Sequence, residues 1–353
     1  MQIPPIFLIS SEKEFAEKSI ILFEGYSKIL ILTDSHVAEH CLTSLIAMAP
    51  KLADAEVLEV DPGEGSKSVD VSIHLWTHLA ELNADRNTLL INFGGGMITD
   101  LGGWIASTYK RGIPFIHIPT TVVAMGDAAI GGKTGIDHGG FKNMIGTFTN
   151  PECTLIYTGF LKSLPAVERR AGFAEIIKTG LVADLEVWNL AKDLEPEETD
   201  ELTDIIHKTA MIKQKITEQD FRETGLRKIL NFGHTIGHAL ESYFIERSTP
   251  VAHGIAVGLG MICETRLSAE VNNLDAAVSR EIIDHLSWIY NPTEFELPVF
   301  GELKRYLLQD KKTHNNQLMF VLLDKPGKAS FNHPISLDII ELHYNLSLLH
   351  INE

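Results

Sequence analysis

The stretch NFGHTIGHALES, residues 231–242, sets His234 and His238 four residues apart, just past a glycine-marked helix start. Side chains at that spacing stack on one helical face, so both imidazoles can address one volume. The arrangement suits a pair of metal ligands, and it suits equally two histidines that share a buried face. An HExxH protease signature is absent, because Thr235 follows His234. Cys41, Cys153 and Cys263 are far apart, odd in number and form no CxxC. That pattern argues against a disulfide framework or a cysteine-held zinc, and leaves histidines and carboxylates to hold any metal.

Two glycine-rich stretches offer a different chemistry. NFGGGMITDLGGWIA, residues 92–106, follows a strand pattern and opens a helix, where backbone N–H groups and the helix dipole favour a pyrophosphate. Gly94, Gly95 and Gly96 let an anion approach the backbone, although the spacing fails the GxGxxG fingerprint. Asp34, ending the first clear strand pattern, has the place of an acidic residue that takes a ribose hydroxyl, and equally that of a helix cap. The second stretch, 126–146, holds Asp127, Lys133, Lys142 and Asn143 and reads as a long polar loop suited to cradling phosphate. Its plain alternative is a surface loop with solvated lysines.

The elements that must position these residues fall into two textures. Short β-branched runs at 28–34, 55–61, 87–96, 114–121 and 153–159 alternate with amphipathic segments such as 67–83. That is a βαβ signature and predicts a parallel sheet covered by helices. From about Leu164 the patterns become helical, at 166–181, 183–193, 199–219, 234–246, 254–270, 278–288 and 301–309, with one strand pair, QLMFVLLD with GKASFNH. The fold class is therefore α/β plus α, an N-terminal dinucleotide-binding domain over 1–163 and a mainly helical metal- and substrate-binding domain over 164–353. A net charge of -17 with no dense basic patch opposes nucleic acid and anionic membranes as partners, while leaving room for a locally positive pocket. No apolar run reaches membrane-spanning length and the first residues lack a basic leader, so the expectation is a cytoplasmic protein.

GGGMITDLGGWIAS, RGIPFIHIPTT, GDAAIGGKTGID, FKNMIG, GFAEIIKTG, ETGLRKILNFGHTIGHALE and HGIAVGLGM occur in this order, and together they resemble the 3-dehydroquinate synthase family of sugar phosphate cyclases. The resemblance runs from about Asp34 to the DKK at 310–312. It implies an NAD-binding domain, a helical domain with the active site in the cleft between them, a divalent metal (zinc or cobalt) and a homodimer. The implied reaction turns 3-deoxy-D-arabino-heptulosonate 7-phosphate into 3-dehydroquinate and phosphate. Transient oxidation by NAD acidifies the C–H beside the phosphate, which is eliminated and, on the same implication, acts as its own base; re-reduction, ring opening and aldol closure follow.

On the matching positions the resemblance implies Glu175, His234 and His253 as metal ligands, with His238 facing substrate and phosphate. It implies NAD contacts at Asp34, Glu64, Lys67, Gly94, Gly95, Asp100, Thr120, Thr121 and Lys142. Lys213 and Arg227 would take the substrate carboxylate, Arg227 through its planar fork. Lys133, Asn143, Asn231, His238 and Lys312 would surround the phosphate, with Arg111 reaching it from a neighbouring subunit. Asp127, Lys178 and Glu223 would hold hydroxyls near the metal. Each residue alone has a plain reading as a solvated charge, a cap or a turn residue, and Glu223 as an intrahelical partner of Arg227.

The chain departs from the family's usual pattern at Gly126, Ala128, Ala129, Thr158, Phe221 and Ile255, none of them a proposed ligand. The rival expectations are another cyclase, acting on sedoheptulose 7-phosphate or glucose 6-phosphate, a metal-dependent dehydrogenase of the glycerol dehydrogenase kind, and a non-catalytic relative that binds without turnover.

Overall fold

The computed structural model describes residues 3–139, 141–196, 202–309, 313–314 and 317–348. The chain forms two compact units, residues 1–165 with Lys213–Arg222, and residues 166–212 with 223–353. The sequence patterns predict one boundary at 163/164, with everything after it in the second domain. Lys213–Arg222 instead groups with the first unit.

The first unit is built on a six-stranded parallel sheet. Its strands are β1 (Ile6–Ile9), β2 (Lys28–Asp34), β3 (Glu56–Val60), β4 (Thr88–Gly94), β5 (Phe115–Pro119) and, after the hairpin strands β6 (Lys133–His138) and β7 (Phe141–Phe148), β8 (Cys153–Tyr157). The order across the sheet is β1-β8-β5-β4-β2-β3. All seven residues of β4 are buried, as an interior strand covered on both faces requires. Helix Val69–Glu81 starts where Ser68 caps the Val71 amide, and with Gly96–Thr108 it covers a core that includes Leu30, Leu32, Leu90, Leu101 and Ile105. Since β3 and β4 leave β2 on opposite sides, the strand order reverses at β2 and β4. Parallel sheets bind ligands beyond the carboxyl ends of strands at such a point.

The stretch 126–146 is not one long loop. Ala124–Ala128 is a π-helical turn, and β6 pairs antiparallel with β7. Gly135 faces Gly146 in this pairing, and a Cβ on Gly146 would sit 2.1 Å from the Thr134 carbonyl. Glycine density that reads as a loop in sequence is here the condition for two strands to lie this close.

The second unit is mainly helical, with helices Ala166–Ala183, Leu185–Lys192, His234–Glu246, His253–Val271, Ala276–Ile289, Phe300–Gln309 and Leu337–Leu348. Asp184 and Asp275 cap the second and fifth of these through their side chains. The short β9 (Thr313–His314) pairs with β10 (Gln317–Lys325), which pairs with β11 (Lys328–Ser336) across a Pro326–Gly327 turn. The helix Leu202–Gln219 contributes to both units, changing at Lys213. All three cysteines are buried and free. Among the described residues no helix is long and apolar enough to cross a membrane.

Candidate functional site

In the second unit three helices bring a carboxylate and three imidazoles together. Glu175 and Lys178 sit on Ala166–Ala183, His234 opens His234–Glu246, and His253 opens His253–Val271. Close approach is built into the sequence: a Cβ on Gly254 would lie 1.8 Å from the Ala171 carbonyl oxygen, so only glycine lets this helix start against that one. Glu175 Oε1 then stands 3.8 Å from His234 Nε2 and 3.6 Å from His253 Nε2. The other Glu175 oxygen accepts from Lys178 Nζ.

The outward ring nitrogens are tied down. His234 Nδ1 donates to the Phe232 carbonyl at 3.0 Å, and His253 Nδ1 lies 3.2 Å from Glu241 Oε2. Each ring therefore turns Nε2 inward, the pattern of metal-ligating histidines whose second nitrogen is held by an oxygen acceptor. Two donors about 2.0–2.1 Å from a tetrahedral zinc stand about 3.3–3.4 Å apart. The distances here are a few tenths of an ångström wider, so the donor set fits a divalent cation after a small contraction.

His238 belongs to the same cluster. Its ring centroid is 5.2 Å from that of His234 and 5.7 Å from that of His253, and the three histidines each offer a nitrogen within 4.8 Å of the others. The four-residue spacing does put both histidines of the motif at one volume.

Charge reinforces the grouping. Burial would raise the Glu175 carboxyl, but the Lys178 ammonium and the neighbouring imidazoles outweigh it and hold it well below the ordinary carboxylate range. Burial, with the Lys178 charge behind it, keeps His234 well below the usual imidazole value. His253 would also be lowered by burial, yet the Glu241 and Glu175 carboxylates hold it up to about 10.

Farther along the same unit Arg227 is buried at 2% exposure, with Nε 3.8 Å from Glu223 Oε2. Glu223 has a positive φ and precedes the short helix Leu226–Asn231, so the pair exists as a loose contact but not as the intrahelical one weighed from sequence. Asn231 Nδ2 donates to Glu223 Oε1 at 2.7 Å. Lys312 lies outside the described residues.

The first unit gathers the residues assigned to NAD at the reversal point of its sheet. Asp34 ends β2, Gly94 ends β4, and Thr120 follows β5, donating its amide to the Gly94 carbonyl at 3.0 Å. Gly95 begins the helix Gly96–Thr108 with no side-chain cap, leaving amides at its N-terminus for an anion. Thr120 Oγ1 is buried without a hydrogen-bond partner in the chain, which fits a site completed by a ligand. Thr121 Oγ1 accepts from the Ala124 amide, and one Asp34 oxygen caps the Val37 amide. Lys67 Nζ lies 2.6 Å from Asp100 Oδ2, and Lys142 Nζ 3.4 Å from Glu64 Oε2. Burial would lower the Lys67 ammonium, but the Asp100 and Glu64 carboxylates outweigh it and keep it raised.

Lys213 Nζ lies 2.8 Å from Asp127 Oδ2 and donates to the Asp127 carbonyl at 2.7 Å. These two residues, given separate tasks from sequence, are partners here. Lys133 is exposed at the start of β6, and Asn143 in β7 holds a positive φ while its amide donates to Asp137. Arg111 is exposed at the end of a turn in which Lys110 and Arg111 both have positive φ.

Two carboxylates of this neighbourhood escaped the sequence reading. Glu241 touches His253, and Glu264, fully buried, accepts the Gly233 amide at 2.7 Å and the Ile236 amide at 3.2 Å, holding the helix start that presents His234. Spacing gave one usable signal: Glu241 lies seven residues after His234, on the same helical stripe.

Comparison with known proteins places this geometry in context. Residues 57–171 match the model of the 3-dehydroquinate synthase N-terminal domain, and 172–313 that of the C-terminal domain. A curated 3-dehydroquinate synthase of Parabacteroides distasonis is 36% identical over 89% of this chain and 90% of its own. Among solved structures, 2-epi-5-epi-valiolone synthase from Streptomyces hygroscopicus, with NAD+ and Zn2+ bound, superposes with a TM-score of 0.86 at 25% identity, covering 100% of this chain and 99% of that one. A 2-deoxy-scyllo-inosose synthase complexed with carbaglucose-6-phosphate, NAD+ and Co2+ superposes at 0.85 with 22% identity, over 98% of this chain and 100% of that one.

Proposed function

The chain belongs to the 3-dehydroquinate synthase family, and from that premise we propose that it converts 3-deoxy-D-arabino-heptulosonate 7-phosphate to 3-dehydroquinate and inorganic phosphate, as a lyase using NAD and a divalent metal. The observation that carries the reading is the convergence of Glu175 Oε1 with the Nε2 atoms of His234 and His253, at 3.8 and 3.6 Å, on helices inside the matched region. Glu175, His234 and His253 would hold the metal. Asp34, Glu64, Lys67, Gly94, Gly95, Asp100, Thr120, Thr121 and Lys142 would receive NAD. Bound there, the two cofactors supply a transient oxidant and Lewis acidity.

The chain's own side chains then bind and orient. Lys213 and Arg227 take the carboxylate, as buried cations suited to a charge-assisted contact. Lys133, Asn143, Asn231 and His238, with Lys312, orient the phosphate and stabilise its charge as it leaves. Asp127, Lys178 and Glu223 fix hydroxyls, holding the reacting carbons in place for each step. The same reading makes the protein a cytoplasmic homodimer in which Arg111 of each subunit serves the other's phosphate.

The test mixes the purified protein with NAD, Co2+ or Zn2+ and the seven-carbon keto-acid phosphate. Phosphate release without net NADH is the expected result, and it should vanish in Glu175→Ala and His253→Ala. Net NADH accumulation would instead identify a polyol dehydrogenase. Turnover of a carboxylate-free sugar phosphate in preference to the keto acid would identify a different cyclase.

A further inference from the structure

We propose that Glu241 is a positioning residue for the cation site: by accepting from His253 Nδ1 it locks that imidazole with Nε2 turned toward Glu175. The proposal rests on the reading of Glu175, His234 and His253 as ligands and adds a residue to it. Glu241 is 3% exposed, and its Oε2 lies 3.2 Å from His253 Nδ1. His234, His238 and Glu241 fall at i, i+4 and i+7 of one helix, so a single stripe carries two imidazoles of the cluster and the carboxylate that reaches the third.

A carboxylate is an unfavourable choice for filling space between helices, because its charge resists burial unless it is paired. What it provides is an acceptor that a methionine or leucine of similar size lacks. His253 begins its helix at 34% side-chain exposure, so packing confines its ring less than it confines His234, at 11%. An unrestrained imidazole can rotate or carry its proton on Nε2, and either state is unable to bind a cation there. The apparent affinity then falls by the fraction of rings in the competent state. Loss of such an outer acceptor commonly costs about 10- to 100-fold in metal affinity.

The experiment titrates the metal-stripped full-length chain with Co2+ alone and follows its visible absorption bands. Four variants are compared with the parent: Glu241→Ala, Glu241→Met, Glu241→Gln and, as control, His253→Ala. Methionine fills the space without accepting, and covers the case in which the alanine variant folds poorly. Glutamine keeps an oxygen acceptor. Expected are a loss of about 10- to 100-fold in Co2+ affinity and altered band shape for Ala and Met, against a change within about fivefold for Gln. NAD affinity should stay at the parental value in all three. Parental Co2+ affinity in Glu241→Met, or a loss in Glu241→Gln as large as that in Met, overturns the proposal and leaves the site reading standing. Parental affinity in His253→Ala overturns the site reading itself.

Discussion

Lys213 keeps its ammonium group at 6% exposure by pairing with Asp127. The pairing fixes the ammonium in place, and a substrate carboxylate bound there would share it with Asp127. Replacing Lys213 with alanine should therefore cost about 1.5–3 kcal/mol, roughly 10- to 150-fold in kcat/KM, for the carboxylate-bearing substrate. A carboxylate-free sugar phosphate should lose much less, and equal losses measured on the two substrates would refute the assignment. At this scale the sequence is legible where motifs are long: they point to His234, His238, His253 and Glu175, and these side chains lie in one cluster. It was illegible where burial decides. Glu241 and Glu264 look like the solvated acids of any amphipathic helix, and beyond the stripe that Glu241 shares with His234 nothing in their spacing says that one holds an imidazole and the other a helix start. The Lys213–Asp127 pairing was equally hidden, since 86 residues separate the two.

Elements place these residues, and the tightest contact among those that build the cation site is the one at Gly254. A methyl there would press on the Ala171 carbonyl at 1.8 Å, so Gly254→Ala must push His253–Val271 away from Ala166–Ala183. Overpacking of this kind costs about 1–3 kcal/mol. The expected outcome is a loss of that size in denaturant unfolding, together with weaker Co2+ binding because His253 recedes from Glu175. Unchanged Co2+ affinity would mean that the helix contact does not set the site. Strands and helices with clean periodicity were read almost to their ends, as at 28–34 and 234–246. The hairpin of β6 and β7 was missed because its facing glycines erase the alternation of apolar and polar residues that marks a strand. Strand β1, helix Glu12–Leu22 and the last helix, Leu337–Leu348, also went unassigned; β1 spans only four residues, too few to establish a period.

For the whole molecule, the proposed metal ligands all belong to the second unit and the proposed NAD contacts all belong to the first. Co2+ should then bind with the same affinity whether or not NAD is present, as titration in both conditions would show. A large dependence on NAD would show that the two sites are energetically coupled. The net charge of -17 does not locate the cations assigned to ligands, because Lys67, Lys213 and Arg227 are buried and invisible to any sum over the chain. Two textures were legible as two domains, but the return of Lys213–Arg222 to the first unit was not, because a helix pattern does not say which core it joins. That return has a practical consequence for anyone recombining this protein with a relative. Gln214 donates to the Pro4 carbonyl and the Phe221 ring packs at a tilt against Phe148, so the segment is knitted into residues far upstream. A hybrid gene spliced once, after residue 165, would match a foreign Asp127 to the native Lys213; a faithful exchange of the first unit takes three splice points, after 165, 212 and 222.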